Sequence, residues 1–128
     1  MVSWSKEEIV HLLTRVQKTI ETIERRNQTI QSVHDYLLNE NRMEKLDAAC
    51  MLIQTIGENI KTINEKTEGK LFVQYPEIPW KRVIRMRDYI SHHYDGVDAD
   101  VVFETIKSNL PPLQKTIERI LSDIDNHS

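Results

Sequence analysis

The densest group of chemically capable side chains lies between Trp80 and Tyr94. Within it, Arg87, Ser91 and Tyr94 follow one another at intervals of four and three residues, which is the spacing of one stripe along an α-helix. A guanidinium group presents a planar set of donors that fits a phosphate. The stripe is therefore a candidate for contact with a phosphoryl group, with Arg87 as its cation and Ser91 in support.

A neighbouring stripe supplies a group for proton transfer. Asp88 and His92 are four residues apart, and Arg85 falls on the same stripe. Asp88 can accept a hydrogen bond from one ring nitrogen of His92, which fixes the tautomer and leaves the other nitrogen for chemistry. Arg87 and His92 together predict a phosphodiester site. The alternative is an ordinary solvated helix face on which Asp88 and His92 form a surface contact.

Basic residues cluster just before this pair. Lys81, Arg82 and Arg85, with Arg87, place four cations within seven residues, although the whole chain has a formal net charge of −3. An acidic chain argues against a general polyanion binder, but a local cluster of cations still attracts phosphates. We therefore predict a phosphate-binding patch formed by Lys81, Arg82 and Arg85.

Other kinds of site are less well supported by the spacing. His92 and His93 are adjacent and would point about 100° apart on a helix, which is poor for joint metal ligation. In an EF-hand loop that began at Asp95, Gly96 would occupy position 2, whereas the invariant glycine of that loop is at position 6. Asp95, Asp98 and Asp100 are therefore better explained by turns and caps. Cys50 lies among apolar neighbours and is expected to be buried, not nucleophilic. We predict neither a metal site nor a cofactor.

The composition indicates what kind of fold must position these residues. Hydrophobic residues make up 39% and charged residues 29% of the 128 residues, and no Gly or Pro occurs before Gly57. These values favour a folded helical protein over a disordered chain or a strand-and-turn fold. A lone cysteine, the lack of an apolar run of about 18 residues and the lack of a signal-peptide core lead us to expect a cytoplasmic protein outside the membrane.

Apolar periodicity and capping residues predict the elements. Ser5 and Glu8 form a capping box for the first helix, and Ser32 with Asp35 suggests another helix start. The predicted helices span about 5–26, 32–38, 41–66, 80–94, 99–108 and 111–125, with an apolar loop at 67–79 that packs on the bundle. We expect an all-α, up-and-down bundle of four to five main helices forming one domain over residues 1–128.

The segment from Met86 to Tyr94, called here the signature segment, resembles the R-x4-H-x-Y signature of HepT-like proteins, a branch of the HEPN superfamily. Three further blocks agree in order with this family: Leu46–Ile60, Tyr75–Trp80 and Asp98–Leu113. The resemblance covers roughly residues 42–115 and is more specific than the R-x4-H spacing alone. The first helix matches only as an amphipathic helix.

The resemblance implies an HEPN-like homodimer whose two signature helices meet at a shared cleft. It implies a metal-independent ribonuclease that acts as the toxin of a two-gene system and is neutralised by a minimal nucleotidyltransferase. Arg87 and His92 would be the catalytic pair, and Tyr94 the residue that receives nucleotide. Asp88 occupies a position that is often Asn in the family. Lys81, Arg82 and Arg85 would then contact RNA.

Two rival interpretations remain open at this stage. The first is a non-catalytic HEPN subunit that binds or presents substrate to a nucleotidyltransferase. The second is a purely structural dimer, which leaves Arg87, His92 and Tyr94 unexplained. A ribonuclease without a metal can use the 2′-OH of RNA as its nucleophile, and this needs a base, an acid and a cation. One chain supplies one well-placed imidazole, so a two-fold dimer would complete the site.

Overall fold

The structure is a computed structural model that describes residues 4–92 and 99–126, with the backbone alone described for residues 87–92. The described residues contain α-helices and short 3₁₀ and π segments, and no strand. The α-helices are α1 (Lys6–Arg26), α2 (Glu40–Lys66), α3 (Trp80–His92), α4 (Ala99–Glu104) and α5 (Leu110–Asn126). The predicted all-α bundle with HEPN-like architecture is confirmed.

Helix α1 begins where the sequence predicts. The Ser5 hydroxyl accepts a hydrogen bond from the Glu8 backbone N–H at 3.3 Å, which satisfies one of the free N–H groups of the first turn. Acidic residues occupy the first turn and Arg25 and Arg26 the last, as the helix dipole favours. The buried face is one apolar stripe: Ile9, Leu13, Val16, Ile20 and Ile23.

Helix α2 is the central element, because both α1 and α3 pack against it. Its N-cap is Asn39, whose side-chain oxygen accepts from the Arg42 N–H at 2.9 Å. At the other end, Lys66 pairs with Glu8 of α1 at 2.7 Å. Cys50 lies in the buried face, and burial together with the nearby Asp47 carboxylate raises the pKa of its thiol to about 11. The prediction that Cys50 is buried is thus confirmed.

The segment predicted as a helix over 32–38 is instead a 3₁₀ turn, Val33–Leu37. The Ser32 side chain makes no capping bond; the Asp35 carboxylate reaches back and accepts from the Gln31 N–H at 2.8 Å. That hydrogen bond is the main cause of the lowered pKa of Asp35. Short 3₁₀ segments are common connectors between helices, and the bond from Gln31 to Asp35 fixes the start of this one.

The Val33–Leu37 turn is fixed to the end of α1 by a buried polar pair. The Tyr36 hydroxyl donates to the Asn27 side-chain oxygen at 2.8 Å, and the Asn27 amide nitrogen donates to the Ile23 carbonyl at 2.8 Å. Both Tyr36 and Asn27 are buried. Burial raises the pKa of Tyr36 to about 12, so the phenol keeps its proton at neutral pH.

The two C-terminal helices predicted at 99–108 and 111–125 are joined without a break. A π segment, Thr105–Asn109, links α4 to α5. In an uninterrupted α-helix, Pro111 and Pro112 would remove hydrogen bonds and clash with earlier carbonyls. The π segment ends with the Leu110 N–H bonded to the Thr105 carbonyl five residues back, and the prolines then occupy the first turn of α5, where N–H groups are not needed.

The loop at 67–79 packs on the bundle as predicted, and it contains a 3₁₀ turn at Phe72–Gln74. Leu71, Phe72 and Tyr75 are buried, whereas Val73 is exposed. The apolar character of this segment is therefore largely satisfied within one chain. Among the described helices, none is both long enough and apolar enough to cross a membrane.

We expect Tyr36→Phe to lower the free energy of unfolding by about 1–3 kcal/mol, because the buried Asn27 oxygen loses its hydrogen-bond donor. Urea unfolding followed by circular dichroism measures this change. Leu37→Ala, at an exposed position in the same turn, is the control and should change stability by less than about 0.5 kcal/mol. Equal effects of the two substitutions would contradict a role for the Tyr36–Asn27 pair.

Candidate functional site

The helix that carries the signature segment is fixed at its first turn. The Trp80 indole N–H donates to the Tyr75 carbonyl at 2.8 Å, and its ring stacks on Phe72 with 3.9 Å between ring centroids. The Pro79 carbonyl accepts from the N–H groups of Arg82 and Val83 at 2.9 and 3.1 Å. The sequence folds this way because Pro79 fixes the chain just before the helix, where no N–H is required. The start of α3 is consequently held by the stack of half-buried Trp80 on buried Phe72.

The turn before α3 is also bound to the distant helix α5. The Tyr75 hydroxyl donates to an Asp123 carboxylate oxygen at 2.5 Å, and the Arg119 guanidinium lies 4.8 Å from the centre of the Tyr75 ring. Glu77 forms an ion pair with Arg119 and accepts from the Thr116 hydroxyl. Burial and the bond to Asp123 raise the pKa of Tyr75 to about 12. These contacts connect the position of α3 to that of α5.

A groove of about 800 Å³ lies between α3, the turn before it and the π segment with its flanking helices. Its apolar lining comes mainly from Ile78, Val83, Met86, Phe103 and Leu113. Arg82 and Arg85 line it from α3, while Glu77, Asp100 and Glu104 line it from the other elements. Both signs of charge are present, so the groove as a whole is not a simple anion pocket.

The three cations predicted to bind phosphate are accessible. Lys81, Arg82 and Arg85 are all exposed on α3. Arg82 and Arg85 border the groove, whereas Lys81 is not part of its lining. The structure therefore brings two of the three together at one cavity and leaves Lys81 on the adjoining surface.

The helical backbone through His92 fixes the register of the catalytic candidates. Trp80, Val83 and Ile84 are buried or half-buried, and position 87 continues their stripe at three- and four-residue intervals. Position 92 follows Arg85 by seven residues and so continues the exposed stripe. Five residues correspond to about 140° around the helix axis. Positions 87 and 92 of one chain therefore lie on different faces of α3.

Several predicted site residues lie outside what the structure describes. Arg87, Asp88, Ser91 and His92 belong to α3, but their side chains are outside the description. Tyr94 lies outside the described residues, as do His93, Asp95 and Asp98 from the metal alternative. Among the residues that are described, no three His, Cys, Asp or Glu side chains are grouped so that they could hold a metal ion.

The chain matches the family described as "Ribonuclease HepT-like" over residues 16–120. It belongs to this HepT-like family. The match includes α2, α3, the groove and most of α5, while Asp123, the partner of Tyr75, lies just beyond it. The family resemblance drawn from the R-x4-H-x-Y spacing is confirmed.

Relatives within this family carry ribonuclease names. "Putative RNase MJ0127" of Methanocaldococcus jannaschii is 32% identical over 91 residues, covering 71% of this chain and 70% of that protein. "Putative RNase MJ1216" of the same organism is 38% identical, covering 61% of each chain. "Probable ribonuclease HepT" of Thermococcus cleftensis is 36% identical, covering 57% of this chain and 63% of that protein. These names support a ribonuclease function. No solved structure matches the chain.

Sequence reasoning missed the residues that anchor this HepT-like signature helix. Tyr75 and Glu77 were noted only as part of a family block, and Arg119 and Asp123 were not noted at all. The four-residue interval between Arg119 and Asp123 puts both on one side of α5 and could have indicated a polar contact there. Their partners, however, are more than 40 residues away in the chain.

Proposed function

We propose that this chain is the ribonuclease toxin of a toxin–antitoxin pair, cleaving RNA without a metal ion at a site built from two copies of α3. The observation that carries the proposal is that the HepT-like match encloses a helix whose backbone continues unbroken through Arg87 and His92. The exposed cations Arg82 and Arg85 on the preceding turns of the same helix give RNA phosphates a place to bind.

The proposed reaction is an internal transfer at phosphorus. The 2′-OH of one nucleotide loses its proton to an imidazole base and forms a bond to the adjacent phosphorus. The bond from phosphorus to the 5′-oxygen of the next nucleotide breaks, and a protonated imidazole gives that oxygen a proton. The products are a 2′,3′-cyclic phosphate and a free 5′-OH. Arg87 would stabilise the charge that develops on the phosphoryl oxygens.

The helical register supports a site shared between two chains. Because positions 87 and 92 are about 140° apart on one helix, a single α3 is poorly arranged to present both to the same phosphate. A two-fold axis beside α3 would add a second Arg87 and a second His92. One imidazole could then act as the base and the other as the acid. Asp88 and Ser91 would support this arrangement by hydrogen bonds.

The proposed partner is a minimal nucleotidyltransferase that neutralises the toxin by transferring nucleotide to Tyr94. Position 94 is seven residues beyond Arg87, close to two helical turns if the spacing of α3 continues. A nucleotide attached there would bring a phosphate next to Arg87 and occupy the space that RNA needs. The competing proposal is a non-catalytic subunit of the same nucleotidyltransferase, and the mixed charge of the groove lining is compatible with a protein partner.

We expect Arg87→Ala and His92→Ala each to reduce cleavage of RNA by about 100-fold or more, which is the usual scale for losing a charge-stabilising donor and a general acid–base group respectively. Purified protein is incubated with labelled RNA in EDTA, and the products are resolved by electrophoresis. A DNA strand of the same sequence should remain intact because it lacks the 2′-OH. His34→Ala, at an exposed position away from α3, is the control. Cleavage by both α3 variants at the wild-type rate would mean that the activity is a contaminant or lies elsewhere, whereas no cleavage by the wild type would favour the non-catalytic subunit.

We expect addition of the His92→Ala chain to lower the cleavage rate of the wild type if two chains share one site. When equal amounts are mixed and subunits exchange at random, about half of the wild-type chains enter mixed dimers, so activity should fall to about half. The measurement is the initial cleavage rate after equilibration, compared with wild type alone. Addition of His34→Ala chain should cause no fall. An unchanged rate with His92→Ala, in a sample shown to exchange subunits, would mean that each chain acts alone.

We expect Tyr94→Phe to keep most of the ribonuclease activity and to escape neutralisation by the nucleotidyltransferase, because only the phenol oxygen accepts the nucleotide. Intact mass spectrometry after co-expression should show added nucleotide mass on the wild type and none on Tyr94→Phe. Tyr89→Phe, five residues earlier in α3, is a control that should be modified normally. Neutralised wild type without added mass would indicate inhibition by binding alone.

A further inference from the structure

The outer face of α1 carries a set of cations that the proposed catalytic site does not use. These residues, called here the α1 basic stripe, are all exposed and comprise His11, Arg15, Lys18, Arg25 and Arg26. They follow at intervals of four, three, seven and one residues, so they lie within about 120° of arc around the helix. At about 1.5 Å per residue, the stripe is roughly 22 Å long.

Acidic side chains flank this stripe. Glu7 lies four residues before His11, and Glu21 lies three residues after Lys18 and four before Arg25, so both are neighbours of the stripe. Glu24 lies farther round the helix, and Glu8 is paired with Lys66. The ion pairs of the described residues, Arg42–Asp35, Lys66–Glu8 and Arg119–Glu77, involve none of the stripe cations. Its charge is therefore not neutralised by the described part of the fold.

The stripe also stands out against the charge of the chain. The net charge is −3 with His neutral, and the stripe contributes four permanent cations, so the remaining residues carry −7. The four Arg and Lys side chains lie on one side of α1, and none of them takes part in an ion pair of the described residues. An extended row of cations attracts a linear polyanion more strongly than it attracts a compact acidic group.

We propose that the α1 basic stripe is a second RNA-binding surface, which contacts the phosphate backbone of the substrate outside the cleavage site. The inference rests on the proposed ribonuclease function, because the substrate of a ribonuclease is RNA, which is a linear polyanion. Contacts from Arg and Lys side chains to phosphates carry no sequence information directly, so we expect this binding to be independent of base sequence.

The packing of the helices separates this surface from the cations of α3. Helix α1 packs against α2 and α5, whereas α3 packs against α2, so α2 lies between the stripe helix and the signature helix. With neighbouring helix axes about 8–10 Å apart, one RNA must extend well beyond the cleaved bond to reach both surfaces. Long RNAs gain affinity from the stripe, and short RNAs do not.

The test measures RNA binding apart from cleavage. His92→Ala is used as the background in which labelled RNA of about 40 nucleotides stays intact, and binding is followed by fluorescence anisotropy at several salt concentrations. Adding Lys18→Gln and Arg25→Gln removes two stripe cations. Affinity should fall about 10-fold, and the slope of log K against log salt should shrink by about 0.7 per cation removed. An RNA of about 5 nucleotides, near the smallest single-strand site sizes, should bind both proteins alike.

A matched control removes the same charge elsewhere. Lys70→Gln with Lys115→Gln changes two exposed lysines outside the stripe and should leave affinity and salt slope within about two-fold of the parent. If the stripe pair and the control pair behave alike, the proposal is overturned. It is also overturned if the stripe pair binds RNA normally but fails to bind an acidic protein partner. Because the substituted side chains are exposed, an unchanged urea midpoint verifies that the variants are folded.

The two proposals fail in different ways. A wild type that cleaves no RNA, yet binds long RNA through the stripe, would refute the catalytic proposal and leave the binding surface in place. A wild type that cleaves long RNA with the same KM and kcat as the stripe variant would refute the binding surface alone. In the expected result, the stripe variant has a raised KM for long RNA and an unchanged kcat.

Discussion

The position of α3, the helix that carries most of the candidate site, depends on the contacts at its first turn. Trp80 hydrogen-bonds to the Tyr75 carbonyl and stacks on Phe72, while Tyr75 itself bonds to Asp123 on α5. Together with the packing of α3 on α2, these contacts position α3, whose backbone continues through residue 92. The cations at 82 and 85 face the groove for this reason, and the register then carries forward to Arg87 and His92.

That register imposes a constraint on chemistry. Five residues along an α-helix rotate the chain by about 140°, so the R-x4-H spacing separates its two members. Position 87 continues the stripe of Val83, and position 92 continues the stripe of Arg85. A site needing both groups at one phosphate is served better by two helices than by one. The dimer we propose follows from this geometry as much as from the family resemblance.

The charged residues are unevenly distributed, so the net charge of the chain does not describe its local surfaces. The protein is acidic overall, yet cations are concentrated on α3 and on the outer face of α1. Several acidic residues form contacts within the fold. Glu77 and Asp123 link the turn before α3 to α5, and Glu8 of α1 forms an ion pair with Lys66 at the end of α2. The chain therefore has two separate basic surfaces, with the groove and its mixed charges beside one of them.

The sequence by itself determined the elements whose causes are local. Periodicity and the Ser5 cap predicted α1, the apolar stripe predicted α2, and the R-x4-H-x-Y spacing indicated the family. Local rules were wrong at 32–38, where a 3₁₀ turn forms in place of an α-helix, and before Pro111, where a π segment joins two helices that we predicted to be separate. Only the tertiary structure decided the contacts between Tyr75 and Asp123 and between Glu77 and Arg119. Those partners are 48 and 42 residues apart, and no local pattern encodes which helix faces will meet when the bundle closes.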